Sequence, residues 1–160
     1  PAATCTASTQ PTTDLDDRGW GVSAAYTFGP LKVGATYLDT KYDTSATTEL
    51  KKKTWTLGAE WNIQGPHNLH VQYARAGDSK GNSTTVIRAN GGLNASGPDT
   101  GGDAWQIGYR YDLSKRTWVK LAYTRVDNDV NANTYRIGNT ASVRNGENSN
   151  SWAFRIVHRF

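Results

Sequence analysis

The chain has 160 residues, 36% of them hydrophobic, and its 18 Lys and Arg against 14 Asp and Glu leave a formal net charge of +4. No stretch approaches the roughly 18 consecutive apolar residues of a membrane-spanning helix; this excludes helical spans but not strands, because a transmembrane barrel shows lipid only every second side chain. The basic residues are dispersed without a nucleic-acid motif, and the run Lys51-Lys52-Lys53 reads as a solvated strand entrance, so nucleic acid is not an expected partner.

Six Trp and eight Tyr against three Phe and no Met favour rings with a polar tip. Such rings suit membrane interfaces, and an aromatic-rich soluble sandwich or ligand-binding barrel has the same composition. Cys5 is the single cysteine and cannot close an internal disulfide. The opening Pro1-Ala2-Ala3-Thr4 reads as the start of a mature, trimmed or fragmented product.

After an expected outer loop over 1–19, period-two alternation begins. Residues 20–28 place Trp20, Val22, Ala24, Tyr26 and Phe28 on one face, and a tight turn at 29–30 leads to Leu31, Val33, Ala35 and Tyr37. A polar stretch over 43–53 precedes Trp55, Leu57, Ala59, Trp61 and Ile63; a turn at 64–67 returns the chain through Leu69, Val71 and Tyr73. A second long loop, 77–103, leads to Trp105, Ile107, Tyr109, Tyr111 and Leu113, and a turn at 113–116 to Val119, Leu121 and Tyr123. The last loop, 127–149, gives way to Trp152, Phe154, Ile156, His158 and Phe160, alternating with Ala153, Arg155, Val157 and Arg159. Seven strands of about the length that crosses a bilayer at a tilt are thus expected.

Short and long connections alternate, as in outer-membrane barrels with short periplasmic turns and long external loops. The rings follow the same geometry. Tyr26, Phe28, Trp61, Tyr109, Tyr111 and Phe160 lie near the short-turn ends, and Trp20, Tyr37, Trp55, Tyr73, Trp105, Tyr123 and Trp152 near the long-loop ends. Two such rows flanking Val, Ala, Leu and Ile read as membrane-interface girdles. The predicted fold class is therefore all-β, a transmembrane antiparallel up-and-down β-barrel.

The segment Asp112-Leu113-Ser114-Lys115-Arg116-Thr117, then Tyr123, Val126-Asp127-Asn128-Asp129-Val130-Asn131-Ala132 and the ending His158-Arg159-Phe160 resemble the carboxy-terminal part of a Gram-negative general porin of the beta-proteobacterial and neisserial type. The match is specific over the last fifty residues and upstream is mainly the hairpin rhythm. The resemblance implies a homotrimer of sixteen-stranded barrels in the outer membrane, in contact with its lipid and lipopolysaccharide. It also implies a water-filled pore in each barrel and a terminal Phe160 read as an assembly signal; no cofactor is expected from the residues. Bacterial barrels have an even strand number, and an open edge in lipid leaves backbone groups unpaired. Seven strands therefore predict missing amino-terminal strands, or a second polypeptide, to complete the barrel, with the family's constriction loop outside this chain.

With the rings facing outward, Lys32, Thr36, Thr56, Glu60, Asn62, His70, Gln72, Gln106, Arg110, Asp112, Lys120, Thr124, Arg155 and Arg159 fall on the lumen side. Lys32, Arg110, Lys120, Arg155 and Arg159 are opposed by Glu60 and Asp112 alone in that set. Fixed positive charge between low-dielectric walls favours anions; the competing reading pairs these charges locally, Arg110 with Asp112. Small residues at Gly21, Ser23, Ala25, Gly34, Gly58, Ala74 and Gly108 favour an open lumen over a packed one.

No enzymatic chemistry is indicated. His67 and His70 point to opposite faces of a strand. Asp127, Asp129 and Asn131 imitate the start of a calcium loop, but Ala132 holds the sixth place and no Glu the twelfth. Gly91-Gly92 and Gly101-Gly102 precede no helix and are not phosphate cradles. Passive diffusion of small hydrophilic solutes is the leading reading; a soluble all-β binding module with the rings inside and a non-conducting structural barrel are its rivals.

Overall fold

The computed structural model describes residues 16–86, 92–138 and 144–160. Cys5, most of the expected loop 1–19 and Gly91 lie outside the described residues. The elements are β1 (Arg18–Phe28), β2 (Leu31–Asp43), β3 (Glu49–Ile63), β4 (His67–Ala76), the two-residue β5 (Lys80–Gly81), β6 (Gly102–Asp112), β7 (Thr117–Asn128) and β8 (Ser149–His158). All pair antiparallel in one sheet of order β1-β2-β3-β4-β6-β7-β8, with β5 added to the upper end of β3. This is the all-β up-and-down architecture that the alternation predicts. The sheet is open, with β1 and β8 as its edges.

The short connections have local causes. Gly29 adopts φ 55° and Gly65 φ 82°, left-handed conformations that glycine enters without a Cβ penalty. In the third turn the Ser114 hydroxyl accepts from the Arg116 and Thr117 amides at 3.2 and 3.0 Å. Leu113 lies in that turn, outside β6. At the other end β2 and β3 stay paired as far as Asp43 and Glu49, so only 44–48 connect them and Lys51-Lys52-Lys53 sit within β3.

One face of the sheet carries the rings, and they are open to the surroundings: Trp20 is 60%, Trp152 69% and Phe154 68% exposed. Such a continuous apolar surface needs an apolar neighbour. Of the few buried apolar residues, Leu50, Ala76, Leu93, Val126 and Ala132 gather instead toward the long-loop end, and Ala122 lies in mid-strand. Five residues flanking the loops, Leu50, Ala76, Val126, Asn128 and Gly102, are covered there because the connections fold back over the polar face.

Candidate pore-lining face

Strand parity and register bring the predicted polar residues together. Lys32 on β2 stands opposite Glu60 on β3, Glu60 opposite His70 on β4, and His70 opposite Gly108 on β6. One step toward the short turns, Asn68, Arg110, Lys120 and Arg155 form a second transverse row across β4, β6, β7 and β8. A third places Asp112 opposite Trp118. Arg159 lies just past β8, its amide donating to the Arg116 carbonyl at 2.9 Å.

Like charges directly opposite on neighbouring strands repel, so Arg110, Lys120 and Arg155 need offsets. Arg110 has one in Asp112, with Nε 3.1 Å from Oδ1 and Nη2 donating to Oδ2 at 3.2 Å, while Asn68 donates to the same carboxylate at 3.1 Å. Local pairing therefore holds for Arg110. Arg155 lies 5.8 Å from the centre of the Trp118 ring, a cation–π contact. Lys120 makes no ion pair among the described residues. It lies across Gly108, where an added Cβ would meet His70 Nδ1 at 2.7 Å and Lys120 Cε at 3.1 Å.

Two cavities open on this face. One of about 400 Å³ is lined by Ser23, Ala25, Lys32, Gly34, Thr36, Thr56, Gly58, Glu60, His70 and Gln72, among others. The next, about 270 Å³, is lined by Glu60, Asn68, His70, Gly108, Arg110, Trp118 and Lys120. Arg110, Asp112, Trp118 and Arg159 share a third hollow with the short turns. Trp118 is absent from the residues the sequence assigns to this face, since an aromatic there breaks the alternation; its parity with Lys120 was the signal available.

The ring-bearing face holds its aromatics in contact, across strands at the long-loop end and partly along one strand at the short-turn end. At the long-loop end Trp20 meets Tyr37 at 5.4 Å, Trp55 meets Tyr73 at 5.1 Å, and Trp105, Tyr123 and Trp152 form a chain at 5.2 and 4.7 Å. At the short-turn end Tyr26 packs on Phe28 at 4.4 Å and Phe160 on His158 at 4.9 Å. His67 stacks with Tyr109, lies tilted against Tyr111, and shares a hydrogen bond with the Tyr109 hydroxyl. Trp61 is exposed on the same face.

The long loops bear on the site from above. Tyr135 lies against Gly102, where an added Cβ would come within 2.6 Å of its ring, and the Lys52 ammonium sits 5.2 Å from the ring centre while donating to the Gly92 carbonyl at 2.8 Å. Burial pushes the Tyr135 phenol up to about 12. Asn128 fastens this loop, donating to the Tyr135 and Glu147 carbonyls at 2.8 and 2.7 Å and accepting from the Tyr135 amide at 3.2 Å. The calcium-like acids are engaged by arginines: Asp129 by Arg75 at 2.7 and 3.0 Å, Asp127 by Arg125 at 2.9 Å. Among the described residues no three His, Cys, Asp or Glu are grouped to hold a metal ion, and no helix is long and apolar enough to cross a membrane.

A sequence profile of the Gram-negative porin family matches residues 2–131. The fold resembles a solved structure, the anion-selective porin from Comamonas acidovorans, with a TM-score of 0.69 and 20% identity over 91% of this chain. The chain spans 40% of that protein's length. A comparison with curated protein sequences finds no match. The profile covers β1 to β7, and on that ground the chain belongs to the Gram-negative porin family.

Proposed function

We propose that the chain forms part of the wall of a water-filled outer-membrane channel for passive diffusion of small hydrophilic solutes and ions, with a mild anion preference. The observation that carries this reading is the division of one sheet into a face of exposed rings and a face crossed by Arg110, Lys120 and Arg155 in adjacent register. In a soluble sandwich the rings would be the buried side; in this reading they face outward and lipid is their partner, while water on the other face solvates the cations. Further strands, from the same polypeptide or a second one, pair with the free edges of β1 and β8, since an unpaired edge costs several kcal/mol per group in hydrocarbon. The anion-selective character of the Comamonas protein agrees with the excess of cations on the polar face. Trimer formation, lipopolysaccharide contact at the outer rim and recognition of Phe160 during assembly belong to the same proposal. No catalytic step is assigned to any residue.

Reversal potentials across planar bilayers in a potassium chloride gradient test the reading. Chloride selectivity is expected, and Lys120→Glu, which reverses the one cation of the row without an acidic or aromatic partner, moves the potential toward the cation side. Cation selectivity of the unmodified channel contradicts the anion preference; absence of conductance contradicts the channel.

A further inference from the structure

The polar face departs from a plain charged wall at Trp118. Five of the six tryptophans, Trp20, Trp55, Trp61, Trp105 and Trp152, follow the ring-bearing parity, whereas Trp118 shares the parity of Lys120 and stands opposite Asp112. Its ring contributes to two hollows at once, the cavity of about 270 Å³ and the neighbouring one by the short turns. It thus offers apolar surface to solvent on the side where every other wall group in that cavity is polar or glycine.

The charges around it are unequal. Arg110 is largely balanced by Asp112, and Arg155 is held against the indole. Lys120 makes no ion pair among the described residues and lines the same cavity, its stem lying across Gly108, where the missing side chain leaves room for it. Glu60 is the one acid lining the cavity, and Lys32 stands opposite it in the register. The volume of about 270 Å³ falls just below that of small-ligand sites, roughly 300–1,000 Å³, which suits one ring rather than two.

We propose that Trp118, Lys120 and Arg110 form a subsite for single-ring aromatic carboxylates on the short-turn half of the wall. The carboxylate meets Lys120 and the outer edge of the Arg110 guanidinium, and the ring lies against Trp118 in the offset or edge-on arrangement that aromatic pairs prefer. The subsite rests on the channel reading, which supplies the route by which a solute reaches it. It gives the pore a preference among anions that charge alone does not provide.

The test uses the channel protein carrying this chain, in planar bilayers, with benzoate, acetate and benzyl alcohol as probes. Acetate has the charge without the ring, and benzyl alcohol the ring without the charge. Benzoate is expected to reduce the chloride current at concentrations about three- to tenfold below acetate, as one aromatic contact allows, and benzyl alcohol to have no comparable effect. Relative to each variant's own chloride current, Trp118→Leu raises the half-blocking benzoate concentration by a similar factor and leaves the acetate value in place. Lys120→Gln weakens both anions, and Val130→Ala, at an exposed loop position, changes neither. Equal action of benzoate and acetate, or an unchanged benzoate value in Trp118→Leu, overturns the subsite while leaving the channel reading intact. A protein without chloride conductance overturns the channel reading and the subsite with it. Saturation-transfer NMR of benzoate with the detergent-solubilised protein reads binding apart from conduction: a signal lost in Trp118→Leu supports the subsite, and a signal retained there refutes it.

Discussion

At the scale of single residues, two glycines separate conformational need from steric need. Gly29 has φ 55° with open space around its missing side chain, while Gly81, at φ 127°, sits where a Cβ would collide with the Glu49 carbonyl oxygen. Gly29→Ala thus carries the left-handed penalty alone, about 1–2 kcal/mol. Gly81→Ala adds a backbone collision that separates β5 from β3. The amides of Asn82 and Ser83, which donate to Glu49 at 3.2 and 3.3 Å, are expected to exchange with solvent faster in Gly81→Ala and at the unmodified rate in Gly29→Ala; equal rates in the two variants contradict this account. Tyr135 gives a second residue-level expectation. Its phenol is raised from 10.0 to about 12, first by burial and then by Asp129, so the fold favours the protonated form. The corresponding stabilisation is complete below pH 10 and is lost as pH rises through about 12. The difference in phenolate absorbance between the unmodified protein and Tyr135→Phe is expected to titrate near 12, and a midpoint near 10 contradicts burial of this ring.

At the scale of elements, Asn128 at the end of β7 fastens the loop over 129–138 at Tyr135, while Asn131 and Asn133 are held separately by Asp99, Pro98 and Asn94. Asn128 is 7% exposed and its side chain makes three hydrogen bonds, so Asn128→Ala leaves the Tyr135 and Glu147 carbonyls and the Tyr135 amide without these partners, at about 0.5–1.5 kcal/mol each. Hydrogen exchange is expected to rise at the Tyr135 amide and its neighbours and to stay low in the paired amides of β6 and β7. Uniform protection in the variant contradicts the clamp. None of this fastening was legible beforehand, because it depends on contacts such as Lys52 with Gly92 and Asn128 with Tyr135, which no periodicity records. The strands were legible only where their two faces differ in polarity. From Trp55 to Ile63 the apolar and polar residues alternate, and the register places Glu60 where that alternation predicts. Between Asp39 and Asp43, and again over Lys51-Lys52-Lys53, both faces are polar, so the alternation disappears although the backbone ladder continues. The polar face was readable by the same rule from Lys32 to Arg155. Trp118 escaped because an aromatic residue on that face contradicts the pattern used to find it, and its partner Asp112 becomes evident only from the β6–β7 register.

At the scale of the whole molecule, the sheet distributes its chemistry by face and by height. The rings pack against one another in rows on one side, and the cations stand in register on the other. Ion pairs such as Lys41 with Glu49 at 2.7 Å and Arg75 with Asp129 at 2.7 Å occupy the long-loop end, beyond the upper row of rings. This segregation is what a wall between lipid and water requires, and its central claim is about which face meets which solvent. Single cysteines in a Cys5→Ser background address that claim, treated with a charged, membrane-impermeant thiol reagent while current is recorded. At Lys120→Cys the reagent is expected to react rapidly and change the conductance, and at Phe154→Cys, on the opposite face of the neighbouring strand, it is expected to do neither. Rapid reaction at Phe154→Cys with a silent Lys120→Cys would contradict the account.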